Sequence, residues 1–126
     1  MSTPSNTGCA IQFKDDDELR VRVGPALPEE AQQCYRRFAN ECITRGCKRV
    51  LIMGYARLDV FAHLALRDAL ASMALAGVRA GLRIALVAET ADLIAVYDAA
   101  VVEAGRLNMD ARRFTSEDDA LRWLAS

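Results

Sequence analysis

The stretch Leu19-Arg20-Val21-Arg22-Val23, with the run PEEAQQCYRRFANECITRG from Pro28 to Gly46, shows two periods in quick succession. Leu19, Val21 and Val23 alternate with Arg20 and Arg22. A period of two predicts a strand with one buried face. The next run recurs at Ala31, Cys34, Tyr35, Phe38, Ala39, Cys42 and Ile43, which is the spacing of an apolar helical stripe. Pro28 suits the first turn of a helix, Glu29 and Glu30 suit its positive end, and Gly46 suits its stop.

Working outward, Ala10 to Lys14 reads as a strand with Ile11 and Phe13 on one face. The acidic connection Asp15-Asp16-Asp17-Glu18 is short, so the two strands should form an antiparallel hairpin. It lacks the spacing and glycine of a calcium loop and reads as a solvated turn. Val50 to Met53 is a short apolar run that suits a buried strand. Asp59 is a plausible N-cap for an Ala- and Leu-rich helix to about Ala76. Leu82 to Ala88 is a strand, Thr90 caps a helix, and Met109 to Phe114 is a last strand. Ser116 with Asp119 resembles a capping box before the helix Glu117 to Ala125. The order is ββαβαβαβα. It predicts an α/β fold, a mixed and mainly parallel five-stranded sheet with about four helices.

The 126 residues suit a single domain at 10–126, after a disordered leader at 1–9. Hydrophobic residues make up 52%, charged residues 26%, and the net charge is -1. A nucleic-acid binder would carry a clustered basic excess, and Arg79, Arg83, Arg112 and Arg113 show no interleaved aromatics. No run approaches the roughly 20 apolar residues of a bilayer span. The polar start of the chain is no export signal, so a cytoplasmic location is expected. The four cysteines, Cys9, Cys34, Cys42 and Cys47, are then expected as structural free thiols. With no Cys-x-x-Cys, one histidine and no nucleotide motif, no metal, no cofactor and no catalytic residue is expected.

The loop Gly54 to Asp59 follows a parallel strand, where open sheets bind ligands. Tyr55, Arg57, Asp59 and His63 are therefore the candidate ligand or partner contacts, with Asp59 four residues before His63 and able to orient it. The alternative is a surface loop with a capping Asp59. Trp123 is expected to pack the last helix on the sheet. Leu51, Met53, Ala85 and Val87 fall on one face of the central strands. If helices cover only the other face, these four need a partner, which predicts a homodimer.

The segment Arg113-Phe114-Thr115-Ser116-Glu117-Asp118-Asp119-Ala120-Leu121-Arg122-Trp123-Leu124 resembles the end of STAS/SpoIIAA-like domains, where a strand ending in Phe leads into an acidic terminal helix. The hairpin and the Pro28 helix agree in order and length. The resemblance implies a non-enzymatic regulatory or protein-interaction module. In antagonists of that family a Ser or Thr after the third strand is phosphorylated. Here no Ser or Thr occurs from Lys48 to Ala71, so such a switch has no acceptor. The fold's similarity to Sec14-like domains implies the alternative, a small apolar-ligand or lipid-binding protein.

Overall fold

The computed structural model describes residues 9–14, 17–23, 28–54, 60–77 and 81–126, with the backbone alone at 28, 29, 31 and 60–63. Two short strands open it, β1 (Cys9–Lys14) and β2 (Glu18–Val23), followed by α1 (Pro28–Arg45) and β3 (Arg49–Gly54). Then come α2 (Val60–Leu75), β4 (Arg83–Val87), α3 (Ala91–Arg106), β5 (Asp110–Phe114) and α4 (Glu117–Ala125). The five strands lie in the order β1-β2-β3-β4-β5. β1 is antiparallel to β2, and the other neighbours are parallel, as the sequence predicts.

The alternation in β2 decides the layering. Leu19, Val21 and Val23 are fully buried in the main core, with Val50, Ile52, Ile84 and Leu86 from the next strands. Cys34, Tyr35 and Phe38 of α1, Leu66, Leu70 and Met73 of α2, and Leu93 and Tyr97 of α3 complete that core. All three helices thus cover one face of the sheet. Successive parallel strands joined by crossovers of one hand require this.

α4 is not a crossover and covers the other face. Leu51, Met53, Ala85 and Val87 are buried there with Ala120 and Leu124, and Phe114, Leu121 and Trp123 pack against them. The premise for a dimer through an open sheet face is therefore overturned, because those four residues already have a cover. Trp123 packs α4 on the sheet as expected, 5.7 Å from the Phe114 ring. The guanidinium groups of Arg83 and Arg112 lie 5.5 and 5.1 Å from the centre of the Trp123 ring, so the aromatic missing from the local sequence arrives from α4. Arg83 Nη1 donates to the Trp123 and Ser126 carbonyl oxygens at 3.0 and 2.7 Å, which closes the helix end.

Two expectations near the N-terminus change. Cys9, placed in the leader, is the first residue of β1 and sits opposite Val23. It is also bonded to Cys34 of α1, with Cα atoms 5.2 Å apart, so two of the four cysteines are not free thiols. The bond joins an edge strand to the helix packed over it. Cys42 and Cys47 stay free and buried. Burial pushes both thiols up, Cys42 especially, and the Cys47 thiol beside it adds to the rise. The acidic hairpin turn is paired where it is described: Arg49 lies 2.9 Å from Asp17, and Glu18, 7% exposed, accepts from Arg20 at 2.7 Å.

Candidate functional site

Tyr55, Arg57 and Asp59 lie outside the described residues. His63 lies on α2, and its side chain is outside them too. What is described at this end of β3 is a close contact. Gly54 has no side chain because a Cβ would run into the Tyr97 hydroxyl and sit 2.6 Å from Leu93 Cδ2. Behind it the buried Tyr35 and Tyr97 hydroxyls meet at 3.1 Å. Desolvation pushes Tyr35 up to about 12 and raises Tyr97 well above the ordinary phenol value. Both phenols are therefore neutral, and the pair works as packing with one internal hydrogen bond.

The larger hollow lies elsewhere, between α1 and α2. It is a groove of about 290 Å³, walled by Gln32, Arg36 and Asn40 on one side and Leu64, Asp68 and Ser72 on the other. Ala39, Ala65 and Ala69 form its floor, small side chains that let the two helices lie close. Arg36 and Asp68 line the same groove, are exposed, and make no ion pair with another described residue.

Beside the groove lies the outward face of α2, which shares Leu64 and Asp68 with it. That helix is apolar around much of its circumference, and a helix of this kind is normally enclosed. Its inward side is: Leu66, Ala69, Leu70, Met73 and Ala74 are buried. Its outward side carries Leu64, Asp68, Ala71 and Leu75, spaced four, three and four residues apart. This is the spacing at which one helix meets another along a seam. Leu64 is 45% and Leu75 91% exposed. The sequence reading missed this seam, although its signal is plain in the spacing once inward positions are subtracted.

A second hollow of about 170 Å³ lies on the α4 side of the sheet, where α4 leaves the hairpin uncovered. Arg20, Arg22, Gln12 and Glu117 make it polar. Among the described residues no three His, Cys, Asp or Glu gather as metal ligands, and no helix is long and apolar enough to cross a membrane. Compared with known proteins, the chain matches no family model and no curated sequence.

Proposed function

We propose that this protein is a non-enzymatic protein-interaction module of the STAS/SpoIIAA-like type, without a phosphorylation switch, that acts in the cytoplasm. Its contact surface is the outward face of α2 with the α1–α2 groove. One observation carries the reading: leucines stand at 45% and 91% exposure on a helix seam beside an Arg36 and an Asp68 without partners among the described residues. Leu75 is the most exposed large apolar side chain among the described residues, and with Leu64 it offers a partner two apolar anchors on one helix face. The element order and the acidic last helix support the family assignment. The small-ligand alternative has less support, because the two hollows described open to solvent and carry polar walls. In a reducing cytoplasm Cys9 and Cys34 would be held as thiols, placed to bond on oxidation.

Photo-crosslinking tests the reading. A photoreactive residue at Leu75 in producing cells should give an adduct with a protein. The same probe at Asp118, on exposed α4 surface, should give none. No adduct from Leu75, or equal adducts from both positions, would overturn the proposal.

A further inference from the structure

We infer that the Cys9–Cys34 bond is a reversible redox latch on the edge strand β1. Oxidation by a small disulfide closes it, and reduction releases the Cys9 end of β1 while the rest of the sheet holds. The latch is separate from the contact face on α2 and stands or falls without it.

What holds β1 decides where the bond acts. The strand lies at the edge of the sheet and pairs with β2 alone. Cys9 and Ile11 pack against the main core and are half-buried, whereas Ala10, Gln12, Phe13 and Lys14 are exposed. The far end of β1 is secured by the hairpin, where Lys14 faces Glu18, and by Arg45, whose guanidinium lies 3.7 Å from the centre of the Phe13 ring. At the near end Cys9 faces Val23, the last residue of β2, and its bond to Cys34 is the covalent tie to α1, with Cα atoms 5.2 Å apart. An edge strand with one neighbour and few buried groups opens locally at low cost once such a tie is cut. Ala10 and Gln12 also wall the hollow on the α4 side, so opening β1 removes one side of that hollow.

The four cysteines divide by access. Cys9 is half-buried and Cys34 fully buried, so Cys9 is the one that meets a small disulfide such as oxidised glutathione. The Cys9 thiol gives up its proton, and its thiolate attacks one glutathione sulfur. A mixed disulfide forms and one glutathione thiolate leaves. The Cys34 thiol then loses its proton and attacks the Cys9 sulfur, releasing the second glutathione. The two departing thiolates take up the two protons, and two electrons pass from the protein to the glutathione disulfide. Excess reduced glutathione runs the same steps backwards. Cys42 and Cys47 lie in hydrogen-bond contact with each other and yet are free thiols. Both are buried and held neutral, so the attacking thiolate is scarce there. Disulfides that do form in a cytoplasm are commonly transient and redox-sensing.

The test equilibrates the purified full chain in glutathione buffers of rising oxidised fraction. Alkylation and mass spectrometry map the thiols, and hydrogen exchange follows the backbone. Cys9 and Cys34 should convert together and reversibly, while Cys42 and Cys47 stay thiols throughout. Exchange over Cys9–Lys14 should be about tenfold faster in the reduced protein, with Arg83–Val87 changed less than about twofold, since the opening is local. Cys9→Ser, at a half-buried position, should exchange at the reduced rate in both buffers. Equal exchange over Cys9–Lys14 in the two forms overturns the latch. So does faster exchange throughout the sheet, because the bond would then support the whole fold. A bond that never forms in oxidised glutathione, one that takes in Cys42 or Cys47, or a Cys9→Ser chain that still responds to the buffer overturns it as well.

Discussion

Gly54 ends β3 in direct contact with Tyr97 and Leu93, so a methyl group there has no room that the core does not already use. Gly54→Ala should destabilise by about 1–3 kcal/mol through overpacking. Chemical denaturation would measure it, and an unchanged midpoint would refute the close approach. The tyrosine pair makes a second prediction. Both phenols are kept neutral by burial, so their folded values lie above the ordinary 10.0, about 12 for Tyr35. Their contribution to stability is full below pH 10.0 and is lost as pH climbs through the folded values. The protein should therefore unfold in alkali over this range, with both phenols ionising only as it does so. Tyr35→Phe with Tyr97→Phe should flatten that dependence. Phenolate absorbance followed against helical signal separates the two outcomes. At this scale the sequence was legible where a period marks burial: Leu19, Val21, Val23 and Phe38 are all buried as predicted. Ile43, in the same stripe, is 36% exposed although Cys42 beside it is fully buried, because Ile43 stands at the margin of the apolar stripe.

At the scale of elements, the period of α4 showed that it has an apolar face but not which sheet face it would cover. The handedness rule constrains crossovers, and α4 joins no two strands. That gap is why the need of Leu51, Met53, Ala85 and Val87 for a partner was left to depend on whether helices cover only the other face. α4 has nine residues, too few to be stable alone, so its attachment matters. Arg83→Ala removes the donor at its end and one flank of Trp123, and should cost about 1–2 kcal/mol. Hydrogen exchange should then quicken in α4 and not in α1, whereas equal exchange in both would contradict the role of Arg83. The Cys9–Cys34 bond was unreadable for a different reason. It joins a strand and a helix 25 residues apart, and only the packing of α1 over the hairpin brings them together. Oxidised protein, denatured without reductant, should show two reactive thiols, Cys42 and Cys47, and none while folded. Four thiols on denaturation would mean that the bond does not form.

For the whole molecule, one sheet is covered on both faces, by three crossover helices and by α4, with the polar hairpin end left open. The candidate contacts at Tyr55, Arg57, Asp59 and His63 were chosen from the rule that ligands bind where parallel strands end. The seam on α2 obeys no such rule. Its leucines look like core in a linear reading, since Leu64, Leu66, Leu70 and Leu75 share one Ala-rich run, and only burial against the sheet separates inward from outward. Contact through a helix face also accords with a sheet whose central apolar residues, Leu51, Met53, Ala85 and Val87 among them, are already covered.

The central claim is that Leu64 and Leu75 form the contact surface. Methyl NMR of leucine-labelled protein, recorded alone and in lysate of the producing cells, tests it most directly. The account predicts that the Leu64 and Leu75 methyl resonances shift or broaden in the lysate while those of the buried Leu19 and the α4 residue Leu124 hold still. Still resonances at Leu64 and Leu75, with movement at the hairpin or α4 instead, would contradict it.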